Sequence, residues 1–275
     1  MLSKLLRHEF RATGRILLPL YLLLFVTAGL FHVSMRLLED ERIAYGWPVK
    51  VFSGISTTAF IVAIIGVSVL AGVLMVYRFY KNLMTDEGYL MFTLPVTTHQ
   101  IITSKLIVTL VWTVATVIAD ALAVALAMCR MVHIDDLQEI WDQLRLLLGR
   151  MTTGDIIGYS IELVLATVFG VLASILVFYA AIALGHSFAN HKILLSVVFY
   201  FAFTTGLQII QSIISVAGIS GAAASNWEEA NPLVLGHWGL IGITVLTILQ
   251  AAAFYLLTNG MLKNRLNLQE EKAVI

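Results

Sequence analysis

Residues 54–77, GISTTAFIVAIIGVSVLAGVLMVY, contain no charged side chain. A helix needs roughly 20 predominantly apolar residues to cross the hydrocarbon core of a bilayer, and this stretch is long enough to do so. Apolar and polar side chains do not alternate along it as they would in a strand of a membrane barrel. The stretch therefore predicts a transmembrane helix.

Five other stretches have a similar length and are equally rich in Leu, Ile, Val, Ala and Phe. They predict further transmembrane helices, because nothing in them favours strands or solvated loops. They cover residues 16–36, 105–129, 157–184, 193–217 and 234–258. The sequence thus predicts an all-α, polytopic membrane protein with six transmembrane helices, forming a single transmembrane domain over residues 1–275.

The composition agrees with this class. Of the 275 residues, 59% are hydrophobic and only 12% are charged, and the mean hydropathy is +0.90. A soluble domain has about a quarter of its residues charged, so a soluble globule is excluded. The 17 basic and 17 acidic residues balance, which argues against a nucleic-acid partner. The single cysteine, Cys129, excludes a disulfide framework and a multi-cysteine metal site.

The basic residues predict the orientation. Eleven of the 17 Lys and Arg residues lie at the two ends of the chain and in the second-to-third and fourth-to-fifth connections. The remaining connections contain six basic residues and ten acidic ones. Because Lys and Arg are enriched on the cytoplasmic side of membrane proteins, we expect both termini to be cytoplasmic.

Two segments have the pattern of helices that lie in the membrane interface. In residues 1–15, Leu2, Leu5 and Leu6 recur at helical spacing, and most basic side chains fall on the other face. In residues 131–150, apolar side chains recur every three or four residues while acidic ones face away. Both are predicted to be amphipathic helices, the second on the external side. Both helices are expected to pack at the membrane surface. The alternative for the first helix is that it moves as a lever together with the first span.

The connection between the second and third spans, residues 78–104, is unusual. It is predicted to be cytoplasmic, yet its first part, RFYKNLMTDEGYLMFTLPV, is far more apolar than a solvated loop. Thr85 or Asp86 is a suitable N-cap for a short helix, and Pro95 would end it. Such a helix either packs against the ends of neighbouring spans or inserts into a cleft of a soluble partner.

The residues of this connection, and some near the N-terminus, resemble those of ABC-2 type permeases, the membrane subunits of bacterial ATP-binding-cassette exporters. The similar residues are Asp86-Glu87-Gly88-Tyr89-Leu90, Leu94-Pro95-Val96, Ser104-Lys105, Glu9-Phe10-Arg11, Gly14-Arg15 and Leu18-Pro19-Leu20. The resemblance implies that segment 1–15 is a connecting helix on the inner leaflet. It also implies that residues 78–104 form a coupling segment that docks on the ATPase. The docking residues would be Asp86, Glu87, Gly88, Tyr89, Leu90, Leu94 and Pro95.

The resemblance also implies the partners. The sequence contains no G-x-x-x-x-G-K-[ST] phosphate-binding loop, so ATP and magnesium would be bound by a separate nucleotide-binding ATPase subunit. This chain would then be a transport subunit without catalytic residues, cofactor or metal site of its own. A second permease copy or a related permease would complete an exporter of hydrophobic or amphipathic substrates, such as a peptide, an antibiotic or a lipid-like molecule. Its location would be the bacterial cytoplasmic membrane.

Asp120 and Glu162 lie within predicted spans. A carboxylate at the centre of a bilayer costs about 2.5 to 3.5 kcal/mol on insertion scales, so both should face the bundle interior or water. They are candidates for the translocation path, where they would recognise a cationic group or bind a proton. Alternatively, each accepts a structural hydrogen bond from Thr, Tyr or Trp. Two other functions remain open: a proton- or cation-coupled transporter or channel without ATP, and a membrane scaffold or sensor.

Overall fold

The computed structural model describes residues 2–40, 42, 44, 46–85, 88, 97–129, 134–149, 151–188, 190–224 and 232–264. Within these residues the secondary structure is helical and contains no strand, which confirms the all-α prediction. The helices are α1 (Leu2–Glu39), α2 (Trp47–Met84), α3 (Thr98–Met128), α4 (Ile134–Leu148), α5 (Thr153–Gly185), α6 (Lys192–Ala224) and α7 (Pro232–Asn264).

Six of these helices, all except α4, are long and apolar enough to cross a membrane. This confirms the predicted number of transmembrane helices and is the architecture of a multi-pass membrane protein. Helix α4 has 15 residues, which corresponds to a length of about 22 Å and is too short to span the hydrocarbon core.

Helix α1 runs without a break from Leu2, near the start of segment 1–15, through the predicted first span, 16–36. Pro19 lies inside this helix. A proline removes one backbone donor, but neighbouring groups commonly compensate for this in apolar helices, so the helix continues past it.

The helices group into two compact units. Unit 1 comprises Met1–Tyr77 and Ile107–Leu146, and unit 2 comprises Arg78–Leu106 and Leu147–Ile275. Helices α2 and α3 each contribute one part to unit 1 and the other part to unit 2.

The core of unit 1 is built around small side chains. Ala119, Ala123 and Ala127 of α3 are buried at four-residue intervals and therefore lie on one face of the helix. They pack in one cluster with Leu24 of α1 and Val67 of α2, among others. Small residues allow helix backbones to approach closely, which is the usual basis of helix association inside a membrane.

The core of unit 2 includes the end of α2. Phe79 and Leu83 are fully buried, and the Phe79 ring stacks on Tyr179 of α5 with 3.7 Å between ring centroids. Phe254 and Leu262 of α7 belong to the same cluster. The last turns of α2 are therefore fixed against α5 and α7 by side-chain packing.

Candidate functional site

Asp120 lies in unit 1, and its two carboxylate oxygens have different surroundings. The Ser68 hydroxyl of α2 donates a hydrogen bond to Asp120 Oδ2 at 2.7 Å. The other oxygen, Oδ1, is buried and has no hydrogen-bond partner among the residues that the structure describes. A buried polar atom without a partner is costly, so a metal cation or an ammonium group that reached this oxygen would relieve that cost.

Other polar groups lie on the same face of α3 as Asp120. Trp112, Thr116 and Asp120 follow one another at four-residue intervals. Tyr21 of α1 forms a hydrogen bond between its hydroxyl and that of Thr116 at 2.7 Å, and its ring lies 6.3 Å from Trp112. Unit 1 therefore contains a polar strip, formed by Tyr21, Ser68, Trp112, Thr116 and Asp120, to which α1, α2 and α3 all contribute.

Glu162 lies in unit 2 and, unlike Asp120, has both oxygens paired. His237 of α7 places Nδ1 at 2.9 Å from both Oε1 and Oε2 of Glu162, so the imidazole donates to the carboxylate. The other ring nitrogen, Nε2, is 3.9 Å from Oδ1 of Asp155, which is an ion-pair distance when the ring is protonated. The side chains of His237 and Glu162 are 22% and 19% exposed. One imidazole thus lies between two carboxylates.

The helices that hold this group approach each other closely. The Tyr159 ring stacks on the His237 ring at 3.8 Å, and its hydroxyl donates to the carbonyl oxygen of Leu233 at 2.5 Å. A Cβ at Gly236 would overlap the Tyr159 hydroxyl, and one at Gly158 would lie 3.1 Å from Cε1 of His237. Glycine at these two positions is therefore what allows the α5–α7 contact.

Asp155 also determines where α5 begins. Its carboxylate accepts from the backbone N–H of Thr152 at 2.9 Å and from the Thr152 hydroxyl at 2.8 Å. In return, the backbone N–H of Asp155 donates to the Thr152 hydroxyl oxygen at 3.2 Å. This reciprocal arrangement is a capping box, and it holds Asp155 in place beside His237.

Most of the predicted docking residues lie outside the described part of the chain: Asp86, Glu87, Tyr89, Leu90, Leu94 and Pro95. Gly88 is described and is buried. Its backbone N–H donates to the carbonyl oxygen of Thr85 at 2.8 Å, and a Cβ there would lie only 2.6 Å from the carbonyl oxygen of Leu83. A side chain at this position would collide with backbone, so the sequence needs glycine here.

The structure places the two predicted carboxylates in different units, each with its own partner. For Asp120 the partner is Ser68, where Thr, Tyr or Trp was expected. Sequence reasoning missed His237 as the partner of Glu162. A signal was available, because Glu162 and His237 lie near the same predicted membrane surface, each close to one end of a predicted span. No comparable signal distinguishes Ser68 from the other hydroxyl residues of α2.

These features define a helical, multi-pass membrane protein with two separate polar groups inside its helices, one centred on Asp120 and one on Glu162 and His237. Comparisons with protein-family models, with curated proteins and with solved structures find no match to this chain. Within the described ranges, no group of three or more His, Cys, Asp or Glu side chains is arranged to hold a metal ion.

Proposed function

We propose that this chain is the permease subunit of an ATP-binding-cassette exporter of the ABC-2 type in the bacterial cytoplasmic membrane. It would move a hydrophobic or amphipathic substrate, using ATP hydrolysed by a separate subunit. The six apolar helices support a membrane-embedded transport role. The residues around Gly88, which resemble a coupling segment, support the ATPase partner.

The strongest support is the way in which the end of α2 is held. Phe79 and Leu83 are buried in the core of unit 2, and Gly88 lies directly against the backbone of Leu83. Because packed cores are nearly incompressible, a displacement at Gly88 would be transmitted to α2 and to the helices packed on it. A segment that couples an ATPase to transmembrane helices needs such a rigid connection.

In the proposed cycle, ATP binding closes the partner ATPase dimer and moves the coupling segment. Asp86 and Glu87 would pair with basic side chains of the ATPase and orient the complex, while Tyr89 and Leu90 would fill a pocket on it. The helices of two permease copies, or of this chain and a related permease, would alternate between inward-open and outward-open arrangements. A substrate shifts this equilibrium only if it binds the two arrangements unequally.

The proposal is tested by purifying the affinity-tagged chain from cells in mild detergent and identifying the accompanying proteins by mass spectrometry. We expect an ATPase with a phosphate-binding loop in a fixed ratio to the permease. Because substitution of interface hot spots costs 2 kcal/mol or more, the double variant Glu87→Ala and Tyr89→Ala should retain about thirtyfold less ATPase.

The matched control replaces another acidic and aromatic pair, Glu139→Ala and Trp141→Ala, on the exposed surface of α4. This variant should keep the ATPase. If the ATPase is absent from the wild-type preparation, or if both double variants lose it equally, the proposed coupling role of residues 86–95 is wrong.

A second candidate function is transport coupled to protons or cations without ATP. The observation that favours it is the buried, unpartnered Oδ1 atom of Asp120 within the described part of unit 1. In liposomes that contain only this chain, a pH or sodium gradient should then drive transport, and Asp120→Asn should abolish it. Absence of transport under both gradients would exclude this function.

A further inference from the structure

Helix α6 has a polar face within its apolar span. Four polar residues follow one another at intervals of three or four and therefore lie on one side of the helix: Gln208, Gln211, Ser212 and Ser215. All four are exposed. We name these four residues the α6 polar face. Residues 193–227 contain no charged side chain, so the face is polar but uncharged.

The α6 polar face lies deep in the membrane. The apolar span of α6 is Lys192–Ala217. At a rise of about 1.5 Å per residue, Gln208 lies about 5 Å from the middle of this span and Gln211 about 10 Å from it. The hydrocarbon core extends about 15 Å to either side of the bilayer centre. Both carboxamides are therefore at the level of the lipid acyl chains.

The polar groups of this face are not equally satisfied. The Ser215 hydroxyl donates to the backbone carbonyl oxygen of Gln211 at 2.8 Å. The side-chain carboxamides of Gln208 and Gln211 form no hydrogen bond within the part of the chain that the structure describes. A carboxamide has two donor hydrogens and an acceptor oxygen, and acyl chains satisfy none of them. These two side chains therefore need a polar partner from outside α6.

The packing of α6 within unit 2 leaves the α6 polar face uncovered. Helix α6 packs on α5, where the ring of Tyr200 stacks on that of Phe178 at 4.3 Å between centroids. Leu207 packs against the same core. Because consecutive helical residues point about 100° apart, Gln208 points away from this contact. Among the described side chains of α6, only Ser196 is buried.

We propose that the α6 polar face binds the same face of a second copy of this chain, with α6 against α6 about a two-fold axis. A two-fold interface joins the same patch of both subunits, so the patch must be complementary to itself. A carboxamide meets this condition because it donates and accepts, and two carboxamides can bond to each other reciprocally. Ser212 and Ser215 are small, which allows the helix backbones to approach, and interhelical glutamine and serine hydrogen bonds stabilise helix pairs in membranes.

The surroundings of the α6 polar face favour a second copy over other occupants. A partner selected by ion pairing would need a charged residue on this face, and residues 193–227 contain none. A water-filled path is disfavoured because the apolar side chains of Phe201 and Ile209 flank the face and are 63% and 55% exposed. The proposed interface rests on the proposed function in one respect: that function requires a second permease subunit, which would here be another copy of this chain.

The first test measures self-association of the full chain in liposomes. Copies labelled with a donor or an acceptor fluorophore on a terminal tag are mixed at decreasing protein-to-lipid ratios, and energy transfer gives the dissociation constant. We expect a reversible dimer, and the double variant Gln208→Leu and Gln211→Leu should raise the dissociation constant about tenfold.

The matched control is Gln250→Leu, which makes the same chemical change in the apolar span of α7. It should leave the dissociation constant unchanged. A wild-type protein that stays monomeric at every protein-to-lipid ratio, or an equal effect of the control and the double variant, would overturn the proposal.

Disulfide cross-linking locates the interface and leaves both glutamines in place. The only cysteine, Cys129, is first replaced by serine. Ser212→Cys then places a thiol on the α6 polar face, and Ile210→Cys places one at nearly the same depth on the opposite side, where Ile210 is 53% exposed. A disulfide needs Cα atoms within about 7 Å of each other. Oxidation in membranes should therefore cross-link Ser212→Cys into a dimer and leave Ile210→Cys monomeric, and equal cross-linking of both would contradict the interface.

Two other results would identify a different occupant of the α6 polar face and overturn the proposal. Reaction of Ser212→Cys with a charged, membrane-impermeant thiol reagent would show that water reaches this face. A cross-link to a different protein, identified by mass spectrometry in cell membranes, would show a different partner.

Failure of this interface is distinguishable from failure of the proposed function. A dimer that forms through α6 without a co-purifying ATPase would refute the proposed function and leave the interface standing. A co-purifying ATPase without a cross-link at position 212 would refute the interface and leave the proposed function standing.

Discussion

Asp120 in unit 1 and Glu162 in unit 2 are both acidic residues inside apolar helices, yet their surroundings differ. Glu162 has both oxygens bonded to His237, and Tyr159 and Asp155 hold that histidine in place. Asp120 has one bond, from Ser68, and one buried oxygen without a partner among the described residues. The difference indicates that Glu162 joins α5 to α7, whereas Asp120 is the better candidate for contact with a transported ligand.

The largest expected effect is on the free energy of unfolding, and it tests the structural role of Glu162. His237→Ala leaves Glu162 without its donor in a mostly buried position and should lower the free energy of unfolding by about 2 kcal/mol. Unfolding by sodium dodecyl sulfate in mixed micelles measures this. The double variant His237→Ala and Glu162→Gln should recover part of the loss, because it removes the unpaired charge. If His237→Ala is neutral, the Glu162–His237 contact does not join the helices.

The next effect concerns transport. If the proposed function holds, Asp120→Asn, which removes the carboxylate charge but keeps its shape, should lower export and substrate-stimulated ATPase activity at least about tenfold, the equivalent of 1.4 kcal/mol. Its unfolding free energy should stay close to that of the wild-type protein. Glu162→Gln should show the reverse, with reduced stability and nearly normal transport per folded molecule. Unchanged transport in Asp120→Asn would remove Asp120 from the translocation path.

Gly236→Ala tests the close approach in unit 2. The added methyl group displaces the Tyr159 hydroxyl, whose bond to Leu233 is then lost, at a cost of about 1 kcal/mol. Gly72→Ala in α2 is the matched control, because nothing lies within 4 Å of its added Cβ. Thermal unfolding in nanodiscs should show that Gly236→Ala is less stable than Gly72→Ala. Equal stability would mean that the α5–α7 contact tolerates separation.

The smallest effect is expected for Ser68→Ala. This change removes the only hydrogen bond that the described residues donate to the Asp120 carboxylate, and one such bond contributes about 0.5 to 1.5 kcal/mol. The free energy of unfolding should fall by an amount near the lower end of that range. The binding free energy of a cation at Asp120 should change by a larger amount. Isothermal titration with a monovalent or organic cation measures the affinity. A large loss of stability would show that Asp120 is mainly structural.

The six transmembrane helices were predictable because the hydrocarbon core requires long apolar helices, and residues such as 54–77 leave no alternative. The helix extents were less predictable: α1 includes residues of the segment expected to lie in the interface and also continues past Pro19. The ATPase-docking role of Asp86, Glu87 and their neighbours stays a prediction.

The partners of the two carboxylates could not be predicted, because they depend on which helices pack together. Ser68 and Asp120 are 52 positions apart, and Glu162 and His237 are 75 apart. Pairing of helices in a membrane follows from the fit of small residues such as Ala123, Gly158 and Gly236. A single sequence contains many such residues and does not indicate which of them face each other.

The alanine face of α3 has a mechanical consequence. Ala119, Ala123 and Ala127 present only methyl groups to the neighbouring helices, so this part of α3 has no bulky side chain that would obstruct a slide or rotation of the helix. Among the described residues, the hydrogen bond Tyr21–Thr116 connects α3 to α1, and the hydrogen bond Ser68–Asp120 connects α3 to α2. These two bonds contribute to the resting register of α3, and a ligand that displaces Ser68 from Asp120 releases one of them.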